Sequence, residues 1–176
     1  MNHEELSQLM RALAFAAQKH KNQRRKGIEQ HPYINHPIAL AAILVDEGGI
    51  TDLDVICSAL LHDTIEDTKT TEQELRETFG ATIAGMVVEV TDDKNLAKAE
   101  RKARQVEHAP GLSTGAKLVK LADKIANLRD ILEAPPDWSD ERKREYFAWA
   151  NKVVDGLRGV HAELELVFDQ TYERRS

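Results

Sequence analysis

The sequence predicts an all-α fold, a single-domain bundle of about eight helices. Apolar residues recur at three- and four-residue spacing along most of the chain, and capping residues precede several of these segments. Strand signals are scarce, because the valine-rich stretch at residues 86–90 has no neighbouring segment that could pair with it. A chain of 176 residues can bury one core and hardly two. We therefore expect residues 1–176 to form one domain.

Start and stop signals define the first two helices. Asn2 can cap the first helix, and Glu5, three residues later, can complete a capping box. Pro37 suits the first turn of the second helix, and Gly48 with Gly49 ends it.

The next helices follow from the same signals. A third helix is expected from near Asp52 towards Asp67, and Thr71 with Glu74 forms another capping box. Gly80 ends that short helix. Further helices are expected over residues 83–90 and from Ser113 or Thr114 to about Leu132. After Pro135 and Pro136, a long last helix is expected from Ser139 onwards. The segment at residues 94–107 is dense in charge and indicates an exposed helix or a mobile segment.

Composition excludes several classes of protein. The formal net charge of −6 argues against a broad basic face for nucleic acid. No apolar run approaches the roughly 20 residues that a membrane span needs, and the polar N-terminus is unlike a signal peptide. The single cysteine, Cys57, stands in an apolar run and indicates a buried thiol. We expect a cytoplasmic protein.

Positive charge is concentrated at residues 19–26, which is either a solvated helix end or a site for a small anion.

Four ionisable residues close the third predicted helix. At about 100° per residue, His62, Asp63, Glu66 and Asp67 fall within an arc of roughly 140° directly after an apolar segment. Burying them together is costly unless a divalent cation balances the carboxylates, and imidazole and carboxylate are both good ligands. A frayed polar helix end facing water is the alternative interpretation.

The helix near residues 117–132 carries a second polar stripe. Asp123, Asn127 and Asp130 stand at i, i+4 and i+7, opposite an apolar face. Small apolar residues, among them Val119 and Ala126, border this stripe and indicate that it meets protein rather than only solvent. Asp123 is thus a candidate ligand and Asn127 a hydrogen-bonding group for a substrate.

His36 is the remaining candidate ligand. A lone histidine at a helix start is more often a cap or a surface residue. It becomes a ligand only if His62, Asp63 and Asp123 define a site that lacks one.

The pattern of His36, the His62-Asp63 pair and Asp123 resembles the metal-binding signature of the HD superfamily. The surrounding sequence is similar to the hydrolase domain of RelA/SpoT proteins, and especially to their small stand-alone relatives of the metazoan SpoT homologue type. The matching motifs span nearly the whole chain and are RK (25–26), PYINHP (32–37), ALLHDTIED (59–67), VTDDK (90–94) and KLVKLADKIANLR (117–129).

This resemblance implies a function. Members hydrolyse the 3′-pyrophosphate of the guanosine alarmones ppGpp and pppGpp, giving GDP or GTP and pyrophosphate, and typically use one Mn²⁺. The implied metal ligands are His36, His62, Asp63 and Asp123. Glu66 and Asp67 match the acidic pair that orients and deprotonates the attacking water. The implied substrate contacts are Arg25 and Lys26 at the guanine, Asn127 near the ribose, Arg24 as the other arginine that could stack, and Lys98, Arg142 and Tyr146 as looser 5′-phosphate contacts.

Other interpretations of the same site stay open. The metal site could serve another phosphorylated nucleotide such as NADPH, or the chain could be a non-enzymatic helical module that binds a nucleotide. The partner expected in either enzymatic case is a small-molecule nucleotide, with no nucleic acid and no membrane. A homo-oligomer is compatible with the sequence.

Overall fold

The computed structural model describes residues 1–27 and 29–175. Over these residues the chain forms ten α-helices, which are α1 (His3–Lys19), α2 (Asn35–Ala42), α3 (Leu53–Leu61), α4 (Thr64–Asp67), α5 (Glu72–Phe79), α6 (Ala81–Val90), α7 (Lys98–His108), α8 (Thr114–Glu133), α9 (Asp140–Asp155) and α10 (Ala162–Glu173). A π-helical turn, Ile43–Glu47, follows α2, and a 3₁₀ turn, Ala109–Gly111, follows α7. In this part of the chain the one β contact is an isolated bridge between Arg24 and Pro32. The all-α fold class is confirmed.

The predicted caps account for most helix starts. Asn2 accepts hydrogen bonds from the first turn of α1, and Glu5 bonds back to complete the capping box. Ser113 and Ser139 cap α8 and α9 as expected. Thr71 caps α5, whereas the carboxylate of Glu74 pairs with Lys19 of α1.

Two predicted helices are each divided in two, which is why ten helices stand where about eight were expected. The third breaks at His62 and Asp63, because Asp63 has φ −101° and ψ 3°. The last expected helix ends at Asp155, and α10 begins after His161, whose ring accepts a hydrogen bond from the Leu164 backbone. The charged segment at residues 94–107 is mostly the exposed helix α7.

Helix α8 is the centre of the core. It packs against α2, α3, α6, α9 and α10, and its buried residues include Leu121, Ile125 and Leu128. A second apolar cluster joins α1, α3, α5 and α6 and contains Cys57, which is fully buried as predicted. Burial raises the pKa of that thiol to about 11, so it is an inert core residue. Within the described residues, no helix combines the length and apolarity that crossing a membrane requires.

Candidate metal centre and active site

A cavity of about 270 Å³ lies between α8, the α3–α4 break, the start of α2 and the segment that joins α1 to α2. Of the residues expected at the site, it brings together all four candidate metal ligands, the two candidate catalytic acids and four of the seven candidate substrate contacts. The lining residues are Arg25, Lys26, Tyr33, His36, His62, Asp63, Glu66, Asp67, Val90, Asp92, Gln105, Val119, Lys120, Asp123, Lys124, Asn127, Tyr146 and Trp149.

Two histidines and one aspartate meet at the bottom of this cavity. One ligand atom each of His36, His62 and Asp123 lies within 4.8 Å of the others. The Nε2 atoms of His36 and His62 are 3.2 and 4.0 Å from Oδ1 of Asp123. Both imidazoles are almost fully buried. This cluster is a possible metal-binding triad.

His62 presents a fixed nitrogen to the cluster. Its Nδ1 donates to the Ala59 carbonyl at 2.8 Å, so in the neutral ring Nε2 carries the lone pair. That Nε2 is buried and has no hydrogen-bond partner of suitable geometry, although Oδ2 of Asp63 is 2.8 Å away. A lone pair and a carboxylate oxygen at this distance repel one another unless a proton or a cation lies between them.

The pKa shifts of His62 and Asp63 also indicate that the cluster favours a positive charge at its centre. Burial lowers the pKa of His62, but the Asp63 and Asp123 carboxylates outweigh it and raise that pKa to about 9. Burial raises the pKa of Asp63, but His62 outweighs it and brings that pKa well below its usual range. The cluster therefore stabilises positive charge at its centre. Buried imidazole nitrogens and carboxylate oxygens are also the donors that borderline divalent ions prefer, so the residues present fit a metal ion.

Neighbouring donors hold the carboxylates in place. Lys124, 2% exposed, lies 3.1 Å from Oδ2 of Asp123, and the Asn127 amide donates to Oδ1 at 2.6 Å. The hydroxyl of Tyr33 donates to Oδ2 of Asp63. Such contacts fix the orientation of ligand side chains.

The two acids of α4 line the same cavity but differ in surroundings. Oε2 of Glu66 accepts a hydrogen bond from the Asp92 backbone at 3.0 Å. Burial, reinforced by the Asp63, Asp92 and Asp67 carboxylates, raises the pKa of Glu66 to about 7 although that hydrogen bond lowers it. Asp67 accepts from the Gln23 amide at 2.8 Å and from Lys94.

Arg24 and Arg25 have different surroundings, although the backbone of Arg24 forms a β-bridge with Pro32 directly beside Arg25. Arg25 points into the cavity, where it donates to Asn127 at 2.9 Å and to Asp130 on α8 at 3.0 Å. Arg24 is exposed and does not line the cavity. Lys26 lies at the rim.

Of the three looser substrate candidates, one lines the cavity and two do not. Tyr146 lines the cavity between Trp138 and Trp149, with ring centroids 5.7 and 5.2 Å away. Lys98 and Arg142 lie outside the lining. Arg142 nonetheless lies near it, because its guanidinium is 4.1 Å from the centre of the Trp138 ring, which packs against Tyr146. Burial and then the charges of Arg142 and Lys26 lower the pKa of Lys98.

Comparison with known proteins places this arrangement in a family. The sequence profile of the HD domain matches residues 12–150. The chain belongs to the HD-domain family. The Danio rerio and Homo sapiens proteins named guanosine-3′,5′-bis(diphosphate) 3′-pyrophosphohydrolase MESH1 are 56% and 55% identical to it, over 99% and 97% of this chain and 98% and 96% of theirs. A solved structure, described as a metazoan ortholog of SpoT that hydrolyzes ppGpp, superposes with a TM-score of 0.93 at 48% identity and covers 96% of both chains.

Sequence reasoning missed several side chains of this HD domain's cavity. Tyr33, Lys120, Lys124 and Gln105 all line it. The two lysines lie on α8 beside Asp123, next to the polar stripe that was expected to meet protein, and that position was the available signal. Nothing in the sequence around Gln105 distinguishes it from the charged surface of α7.

Proposed function

We propose that this protein is a metal-dependent 3′-pyrophosphohydrolase that acts on ppGpp and pppGpp. The observation that carries the proposal is the meeting of His36, His62 and Asp123 in one cavity with Glu66 and Asp67. The names of the relatives, at 55–56% identity over nearly the whole chain, support the same substrate class.

The proposed ion is one Mn²⁺, held by His36, His62, Asp63 and Asp123. Two imidazoles with carboxylates suit a borderline ion better than a soft one, which prefers thiolates. When bound, the ion would supply Lewis acidity at the phosphoryl group next to the 3′-oxygen.

Glu66 is the proposed proton acceptor. A carboxylate whose pKa is raised to about 7 can take a proton from water near neutral pH and release it again. The oxygen of that water forms the new bond to phosphorus while the bond from phosphorus to the 3′-oxygen breaks. The leaving oxygen keeps the bonding electrons and takes up the proton that Glu66 releases, so that GDP or GTP and pyrophosphate result. Asp67, oriented by Gln23 and Lys94, would position the water.

Arg25 is the proposed guanine contact. Its guanidinium is held by Asp130 and Asn127 and lies 5.6 Å from the centre of the Tyr33 ring, so it offers a pre-ordered planar surface for a base. Arg24 points elsewhere, which favours Arg25 as the stacking residue. Lys26 at the rim and Asn127 near the ribose complete the proposed contacts.

The 5′-phosphates are proposed to face a cluster of positive charge. The charges of Arg142 and Lys26 help to lower the pKa of Lys98, and Tyr146 and Lys26 line the cavity. A polyanionic tail would relieve the mutual repulsion of these cations.

Cytoplasmic localisation and a homo-oligomer stay predictions from the sequence.

The test is pyrophosphate release by the purified protein. With Mn²⁺ we expect release from ppGpp and pppGpp, loss of release after chelation, and recovery when Mn²⁺ is returned. Asp63→Ala should abolish turnover, whereas Asp169→Ala, on the remote helix α10, should not. A higher kcat/KM on NADPH than on ppGpp, or nucleotide binding without turnover, would contradict the proposal.

A further inference from the structure

Lys120 is a buried lysine on the wall of the cavity that no step above uses. Its side chain lies on α8 and the residue is 8% exposed. Nζ donates to the Val90 carbonyl at 3.0 Å, at the end of α6. Among the described residues no carboxylate lies within ion-pair distance of it, although an ammonium group has three hydrogens to donate.

The other inner cations of the cavity already have anionic partners. Lys124, one helical turn further along α8, is paired with Asp123 and faces the Trp149 ring at 4.4 Å. Arg25 is paired with Asp130. Lys120 therefore differs from both, since its charge is buried without a paired carboxylate. Burial and the nearby Lys124 lower its pKa, as expected for a buried charge without a paired carboxylate.

A cation at this position would favour the entry of a polyanion into the cavity. Five carboxylates line it, those of Asp63, Glu66, Asp67, Asp92 and Asp123. Residues three apart on a helix lie side by side, so Lys120 and the candidate ligand Asp123 present their side chains on one face of α8. Lys120 and the residues of the histidine-aspartate cluster line the same cavity, and the carboxylates of Asp123, Asp92 and Asp63 each raise the pKa of Lys120.

We propose that the Lys120 ammonium binds a phosphoryl oxygen of the substrate's pyrophosphate group and stabilises the negative charge that this group carries as water attacks its phosphorus. The inference rests on the proposed function, because it takes the 3′-pyrophosphate as the group that enters the cavity. Lys120 keeps its protons in this role. It contributes a charge-assisted hydrogen bond and attraction that the surrounding carboxylates cannot provide.

The competing explanation is purely structural. A lysine that donates to the last carbonyl of α6 could act only as a clamp between α6 and α8. Such a clamp would stabilise the fold and would not influence the affinity for an anion.

Binding of inorganic pyrophosphate to the Mn²⁺-loaded protein separates the two explanations. Isothermal titration calorimetry should give a Kd at least tenfold higher for Lys120→Met than for the unsubstituted protein. Lys117→Met, one turn earlier on α8 and outside the cavity lining, should stay within twofold. Lys120→Arg, which keeps the charge, should recover part of the affinity and also serves if Lys120→Met fails to fold.

Three results would overturn the inference. They are equal affinity of Lys120→Met and the unsubstituted protein, a lower melting temperature of the variant with an unchanged Kd, and no measurable pyrophosphate binding to the unsubstituted protein. Turnover measurements distinguish a failure of this inference from a failure of the proposed function. Failure of the unsubstituted protein to hydrolyse ppGpp would refute the function, whereas normal turnover by Lys120→Met would refute only the role of Lys120.

Discussion

The hydroxyl of Tyr33 offers a sharp test of how the metal centre is built. Tyr33→Phe removes one oxygen and keeps the ring, which packs 4.9 Å from the His20 ring and 5.6 Å from the Arg25 guanidinium. The only hydrogen bond of that hydroxyl in the described chain goes to Oδ2 of Asp63. This oxygen also faces Nε2 of His62, at 2.8 Å. The substitution therefore changes the orientation of Asp63 with little change in packing.

The expected size follows from the type of hydrogen bond that is lost. A hydrogen bond to a charged group contributes about 1.5–3 kcal/mol. Since about 1.4 kcal/mol is a tenfold change in an equilibrium constant, the Kd for Mn²⁺ should rise about 10- to 100-fold. Loss of groups that orient metal ligands has effects of about the same range in other metal sites.

The assay is a calorimetric titration of Mn²⁺ into chelator-treated protein, with the melting temperature as a check on folding. Tyr172→Phe is the matched control, because Tyr172 packs against Phe168 on α10, away from the cavity. A Kd for Tyr33→Phe within twofold of the unsubstituted protein would refute the argument that Tyr33 orients a metal ligand.

Two further predictions concern catalysis and base recognition. If Glu66 is the proton acceptor, kcat/KM should rise with pH as this group loses its proton. The pKa of about 7 applies without metal, and the charge of a bound ion would lower it, so the midpoint should lie at or below pH 7. Glu66→Gln should remove both this rise and nearly all turnover, and a profile with its only rise above pH 8 would contradict the assignment. Arg25→Ala should raise KM for ppGpp at least tenfold, since a desolvated cation–π contact contributes about 2 kcal/mol. Arg24 is the exposed neighbour of Arg25, and Arg24→Ala should leave KM within twofold of the unsubstituted protein. Equal effects of the two substitutions would contradict the assignment of Arg25 to the base.

Local signals in the sequence were sufficient for most helix starts and for one face of α8. A cap such as Asn2 or Ser139 acts on backbone groups two or three residues away, so its effect can be read from a short window. The stripe that carries Asp123 and Asn127 meets protein as expected, because the bordering residues Val119 and Ala126 are almost fully buried. That burial separates a site within the protein from a solvated stripe.

The break between α3 and α4 could not be predicted in this way. It depends on side chains that take over backbone acceptors at the end of α3. The His62 ring donates to the Ala59 carbonyl, and the Thr64 hydroxyl donates to the Leu61 carbonyl. Such bonds compete with continuation of the helix. The sequence pattern showed that His62 and Asp63 belong together, but not that they project from a break.

The segment between α1 and α2 shows why a helical pattern alone does not complete the site. Helices fix where the backbone of each acid lies, whereas the orientation of each carboxylate depends on donors from elsewhere in the chain. This one segment supplies donors to three side chains, on α4, at the N-cap of α4 and on α8: Gln23 to Asp67, Tyr33 to Asp63, and Arg25 to Asn127. The proposed water-positioning acid, ribose contact and metal ligand are therefore held by residues that lie within ten positions of one another in the sequence. Binding of a base at Arg25 and orientation of the metal ligand Asp63 would therefore share Tyr33 as a support, because the Tyr33 ring lies beneath the Arg25 guanidinium and its hydroxyl donates to Asp63.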